Sequence, residues 1–399
     1  VVLQVVLAFA VLKFGPVVTL FDAIAAGVTR VISFADAGIA FLFGGVADPG
    51  GAWGFIFVVR VLPVIIFFAA LMSVLYHLGV MQVVIAGVAW VLRRSLGITG
   101  AEALSASANI FVGQTEAPLT VRPYIAGMTR SQIMCIMVGG FATIAGSVMA
   151  AYIGMLGGAY ARIMGVSAAD GGELFAKHLL TASLMSAPAG IVFAKIMVPE
   201  TETPRPESVD ALMSDEKPAR NIVDAAALGA TDGLKLALNV AAMLVAFVAL
   251  LAMIDWCIGA VCGFKAVAPV FAAMGIENPT LASIMGWALS PVAWSMGVPW
   301  AESQQVGGLL GTQVIATEFV AYTKLTAAME AGTLSPRSAQ IVTYALCGFA
   351  NVASIGIQIG GLSALAPERR GDLAALAPRA MVAGALACWM TGAIASLFI

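Results

Sequence analysis

The segment Gly140-Phe141-Ala142-Thr143-Ile144-Ala145 returns 208 residues later as Gly348-Phe349-Ala350-Asn351-Val352-Ala353, both times inside a long apolar stretch. The same offset relates Gln132-Ile133 to Gln340-Ile341. Further upstream, Ala101-Glu102 leads to Thr115-Glu116 as Ala301-Glu302 leads to Thr317-Glu318. Two halves of the chain therefore share one order of parts: a carboxylate-bearing apolar segment, then a glycine-interrupted span. Duplication with interruptions at matching places constrains the chain to a membrane fold with a polar site where its repeats meet, the arrangement of secondary transporters.

Hydrophobic residues make up 61% of the chain and charged residues 11%, against roughly 45–50% and about 25% in a soluble domain. Apolar stretches near 57–80, 131–158, 179–198, 236–258, 338–362 and 380–399 are each long enough to cross about 30 Å of hydrocarbon as helices. An all-α polytopic membrane protein follows. Val1 lies inside an apolar run, so we read the N-terminus as cut, with a preceding span absent. A net charge of −2 gives no reason to expect a nucleic-acid partner. The five cysteines lie in or beside apolar segments without metal-ligand spacing, and His77 and His178 stand alone. No metal-dependent or redox chemistry is expected of them.

The cations between spans alternate. Arg93, Arg94, Arg122, Arg130, Lys195, Arg205, Lys217, Arg220, Arg369, Arg370 and Arg379 fall in one set of connections, and only Arg162, Lys265, Lys324 and Arg337 in the other. The positive-inside rule makes the first set cytoplasmic. Each half then crosses three times, its carboxylate segment being re-entrant, and an odd number inverts one half relative to the other.

This gives a division into 1–53, an N-terminal span with an interfacial helix at 19–48; 54–198, the first inverted repeat; 199–224, a polar, proline-rich linker; and 225–399, the second repeat. A second interfacial stretch is expected at 82–97 and a third at 262–299. Hairpins are expected at 101–126 and 300–325. The arms of the first, on either side of Gly113-Gln114-Thr115-Glu116-Ala117-Pro118, are too short to cross alone. A turn at membrane depth survives only where protein or a wet cavity satisfies its backbone.

Glu116 and Glu318 are carboxylates at membrane depth, where burial costs several kcal/mol, so each needs a ligand or a structural partner. We expect them to meet across one wet chamber. The two broken spans, weakened at Gly139, Gly140, Gly146 and Ser147 and at Gly348, Asn351, Ser354 and Gly356, expose backbone carbonyls suited to a small hard cation. Asn351 and Ser354 share a helix face and can bond a polyol, or the small residues serve close helix packing. Phe111, Phe141, Phe319 and Phe349 lie beside these centres as candidate walls for a flat heterocycle.

At this point the segments Asn109-Ile110-Phe111-Val112-Gly113-Gln114-Thr115-Glu116-Ala117-Pro118-Leu119, Glu318-Phe319-Val320-Ala321-Tyr322 and Cys347-Gly348-Phe349-Ala350-Asn351 resemble the signature segments of the concentrative nucleoside transporters. The resemblance implies a sodium-coupled importer of nucleosides such as uridine. It further implies a homotrimer in the inner membrane that moves its site by an elevator-like displacement, and not an enzyme. By matching position, Gln114, Thr115 and Glu116 would face the nucleobase, Glu318, Asn351 and Ser354 the ribose hydroxyls, and Phe349 the base pocket, with Val148 helping to shape it. Sodium would bind the Asn109 and Thr143 side chains and the Val112 and Ile144 carbonyls. Thr143 stands where the family pattern calls for Ser and keeps the hydroxyl. Two other readings use the same carboxylates: proton coupling through Glu116 or Glu318, and an intramembrane enzyme with the two as acid and base.

Overall fold

The computed structural model describes residues 1–48, 53, 56–204, 219–262, 269, 271 and 279–399. Most of the 199–224 linker, and residues of the 262–299 stretch including Lys265, lie outside the described residues. Every regular element among those described is helical. Six helical stretches there are long and apolar enough to cross a membrane: Gly15–Ala47, Phe57–His77, Arg130–Met164, Ala168–Met197, Ile222–Cys262 and Pro367–Ala395.

The elements are α1 (Val2–Lys13), α2 (Gly15–Ser33), α3 (Ala35–Phe43), α4 (Leu62–His77), α5 (Val80–Leu96), α6 (Gly100–Ala108), α7 (Arg130–Ala142), α8 (Gly146–Met164) and α9 (Ala168–Met197) in the first half. The second half contains α10 (Ile222–Cys262), α11 (Leu281–Ser295), α12 (Trp300–Ile315), α13 (Glu318–Glu330), α14 (Pro336–Ala345), α15 (Val352–Leu365) and α16 (Arg370–Ala395). Residues 15–47, which include the segment expected to be interfacial, have the length and composition of a span. Their acidic groups are paired: Asp22 with Lys177 at 2.7 Å and Asp36 with Arg60 at 3.3 Å. Pairing lowers the cost of a charge beside lipid.

Local chemistry sets where each hairpin begins and turns. Thr99 and Glu102 form a capping box that starts α6, and nine residues of helix rise only about 14 Å. The chain returns through a 3₁₀ turn at Ala117–Val121 and the short helix Arg122–Ile125. In the second hairpin α12 meets α13 at Ala316-Thr317, where Thr317 is extended and caps α13 by accepting from the Val320 N–H. Both broken spans start from caps too, Thr129 with Gln132 for α7 and Ser335 for α14. The first breaks across Thr143-Ile144-Ala145, and the second between Ala345 and Val352.

Several pairs of helices approach at backbone distance because glycine lets them. On α10, a Cβ at Gly229 would lie 2.6 Å from the Ser73 Cβ and 2.7 Å from the Ala69 carbonyl of α4. On α8, a Cβ at Gly157 would lie 2.7 Å from the Gly172 Cα of α9. Around the broken spans, α16 packs against α7, α9, α14 and α15. Tyr152, Tyr322, Tyr344 and Phe175 belong to one apolar core, and Phe141, Ile133 and Met134 to another.

Several of the cations named from the sequence have partners among the described residues. Lys195 pairs with Glu102 at 2.6 Å, Arg130 with Asp372 at 3.7 Å, and Arg369 donates to the Met128 carbonyl at 2.6 Å. Arg162 pairs with Glu330, and Arg337 donates to the Gly297 and Ser396 carbonyls.

Candidate functional site

The Thr317 cap places Glu318 at the first helical position of α13, where the helix dipole favours a negative charge. Glu318 is 5% exposed. Its Oε2 accepts from Asn351 Nδ2 at 2.8 Å and its Oε1 from the Tyr152 hydroxyl at 3.1 Å. Asn351 itself caps α15, its Oδ1 accepting from the Ser354 N–H at 2.8 Å. Tyr152 is held by stacking on Tyr322, ring centres 4.1 Å apart, and by the edge of Phe319 at 5.1 Å.

The first hairpin joins this cluster through amides. Gln114 Nε2 donates to Ser354 Oγ at 3.2 Å, while Gln358 Nε2 donates to Gln114 Oε1 at 3.1 Å and to the Met137 carbonyl at 3.0 Å. Gln114, Ser354, Asn351, Glu318 and Tyr152 thus form one polar run contributed by both halves. Phe349 adds a backbone tie between the breaks, its N–H donating to the Thr143 carbonyl at 3.3 Å. Val148 is buried in the same apolar core as Tyr152. Thr115 lies outside the polar run and sets its methyl against Gly361 of α15.

Glu116 is held within the first hairpin. Its Oε2 accepts from the Gly113 N–H at 3.1 Å, and it borders a cavity of about 420 Å³ with Phe111 and Ser147 on one side and Tyr76, Gln82 and Asp232 on the other. That volume lies within the range of about 300–1,000 Å³ usual for small-molecule sites. Glu318 does not line it. Tyr152 and Asn351 hold the two Glu318 oxygens, while Glu116 is held within its own hairpin by the Gly113 N–H.

At the first break, Asn109 ends α6 and donates through Nδ2 to the Ser105 carbonyl at 3.1 Å. Its Oδ1 is buried and has no hydrogen-bond partner among the described residues. Thr143 donates its hydroxyl proton to the Gly139 carbonyl at 2.8 Å, leaving its lone pairs free. The Gly146 N–H donates to the Phe111 carbonyl at 2.9 Å and staples hairpin to break. A buried orphan acceptor close to a helix break is of the kind that suits a hard cation, which takes oxygen ligands.

Tyr152, Gln358, Gln313 and Asp232 were not picked out from the sequence. Gln358 carried a signal, since Asn351, Ser354 and Gln358 follow helical spacing and share one face. The pairing of Tyr152 with Glu318, 166 residues away, left no local trace.

Family models bear directly on this arrangement. The C-terminal region of Na⁺-dependent nucleoside transporters matches residues 178–396, the N-terminal region matches 1–46, and a nucleoside-recognition gate matches 58–159. The chain belongs to the concentrative nucleoside transporter family. As a member of that family it is a nucleoside transporter of the membrane, with no enzyme activity implied by its relatives. It is 47% identical over 379 residues to an uncharacterized transporter of Haemophilus influenzae, covering 93% of this chain and 84% of the relative. It is 39% identical over 383 residues to the nucleoside permease NupC of Helicobacter pylori, covering 94% and 84% of the two chains. The solved structure of CNTnw in an inward-facing substrate-bound state superimposes with a TM-score of 0.85 at 42% identity, covering all of this chain and 89% of that one.

Proposed function

We propose that this nucleoside transporter imports ribonucleosides such as uridine by sodium symport, as a homotrimer in the inner membrane, with an elevator-type displacement of its site. The observation that carries the reading is the Glu318 carboxylate, fixed at both oxygens by Asn351 and Tyr152 yet keeping lone pairs for a ligand. One carboxylate accepts two hydroxyl hydrogen bonds at once, which suits vicinal 2′ and 3′ hydroxyls. Ser354 stands beside it through the Asn351 cap, and Gln114 and Glu116 offer amide and carboxylate oxygens toward the base, with Thr115, Val148 and Phe349 around it. The burial of Glu318 means a substrate reaches it only when the hairpins shift relative to their surroundings. That need favours a moving site over a fixed channel.

Sodium belongs in this scheme as cargo. Asn109 and Thr143, with the Val112 and Ile144 carbonyls, would hold it between the first hairpin and the first break, organising the wall that carries Gln114. Each ligand then pre-organises the other's site, which is coupling in the thermodynamic sense. We assign the moving body to the hairpins and broken spans of the two repeats, 54–198 and 225–399, and the static frame to α4, α10 and the N-terminal 1–53, joined through 199–224.

Uptake of labelled uridine into proteoliposomes under a sodium gradient alone, then under a proton gradient alone, tests the reading. Accumulation driven by sodium and not by protons is expected. Accumulation indifferent to sodium would remove the Asn109 and Thr143 assignment and transfer coupling to a titrating carboxylate.

A further inference from the structure

The second break has an occupant that the first lacks. Gln313, near the end of α12, is fully buried, and its Nε2 donates to two backbone carbonyls released by unwinding, Leu346 at 3.2 Å and Gly348 at 2.9 Å. In the first half the neighbour of the break is Asn109, at the end of α6, so close to Gly139 that a Cβ there would lie 3.0 Å from Asn109 Nδ2. The repeat offset of 208 carries Gly139 onto Cys347, the residue between the two carbonyls that Gln313 holds. Both halves therefore set an amide side chain from a hairpin's first arm against the same register of the following span.

The two amides differ in which carbonyls their N–H₂ groups reach, while each leaves its oxygen without a partner among the described residues. Asn109 spends its N–H₂ on its own helix and leaves Oδ1 without a partner, an acceptor that asks for a cation. Gln313 spends its N–H₂ on the break, and it is its Oε1 that lacks a partner. Carbonyls that accept the Gln313 N–H₂ have a lone pair of each engaged, and the donor group stands where a cation would otherwise draw on them. We propose that the Gln313 amide is the second half's permanent, uncharged substitute for the cation that the first half binds, so that sodium organises one break and leaves the other organised at all times. This rests on the sodium reading above and assigns Gln313 as a positioning residue within it.

The test uses the full chain in nanodiscs at pH 8, with equilibrium ²²Na⁺ binding and thermal melting in sodium against choline. The native chain is expected to bind one sodium and to melt higher in sodium, and Asn109→Leu is expected to lose both effects. In the double variant Asn109→Leu with Gln313→Glu, a carboxylate replaces the donor beside the Leu346 and Gly348 carbonyls. Sodium-dependent stabilisation should return there. A folded double variant that responds to sodium no more than Asn109→Leu overturns the proposal. Should the double variant not fold, the native count decides: one site that vanishes in Asn109→Leu supports it, and a second site that survives in Asn109→Leu overturns it. A native chain that binds no sodium removes the coupling reading and this inference with it.

Discussion

Asn351 holds Glu318 with one end of its amide and caps α15 with the other, donating from Nδ2 at 2.8 Å while its Oδ1 accepts from the Ser354 N–H at 2.8 Å. One side chain thus ties the tip of the second hairpin to the restart of the second broken span. The position of the carboxylate is set by a helix terminus, which is a rigid reference.

Glu318→Gln should weaken uridine binding by about 1.5–3 kcal/mol, the worth of a hydrogen bond to a charged group, or roughly 10- to 150-fold in Kd. Isothermal titration in detergent measures it. Deoxyuridine, with one hydroxyl fewer, should show a smaller difference between native and variant. Unchanged uridine affinity would remove Glu318 from the site.

Tyr152→Phe removes the hydroxyl that reaches Glu318 Oε1 and keeps the ring stacked on Tyr322. Uridine affinity is expected to fall by about 1 kcal/mol, the net value of one hydrogen bond. A larger loss accompanied by a lower melting temperature would mean that the hydroxyl supports the fold rather than the carboxylate.

Thr143→Ala should raise the sodium concentration needed for half-maximal uridine uptake, because it deletes a hydroxyl of the proposed sodium site, which now donates to the Gly139 carbonyl. Thr143→Ser retains the hydroxyl and should stay near native. Equal sodium dependence in all three proteins would exclude Thr143 as a ligand.

Lys195→Met leaves Glu102, whose side chain is 1% exposed, without its cation. The loss is expected at roughly 1–3 kcal/mol, below that of a fully buried pair because Lys195 itself reaches water. A lower melting temperature measured in nanodiscs would register it. Glu102 keeps its hydrogen bonds from Thr99, so α6 should remain helical.

The architecture was legible in the sequence because membrane solvation leaves few options: apolar length gives spans, and interrupted spans at a fixed offset give a duplicated, broken-helix plan. The polar run at Glu318 was legible in part. Asn351 and Ser354 advertised themselves as polar residues at a glycine-weakened point, and Glu318 as a carboxylate in an apolar context. Tyr152 did not, since an aromatic in a span has many uses and its partner comes from the other half. Glu116 was legible as a carboxylate in an apolar context, but not the cavity it borders. Matching motifs give matching positions in each repeat, but the direction of a carboxylate depends on its neighbours, and only Glu318 has an amide and a phenol to turn it inward.

Gly229 and Gly233 set α10 directly on α4, and Gly157 sets α8 on α9. At these glycines the backbones meet with no side chain between them, and around them side chains such as Tyr160 and Phe175 interlock, so each seam behaves as a weld: the members of a pair travel together or stay together. The cavity beside Glu116 runs along the boundary between these two planks, with Ala69, Gly229 and Asp232 on one and Gly146 and Ser147 on the other. The displacement proposed above would find its slip plane along this face, where Glu116 and Asp232 border one cavity.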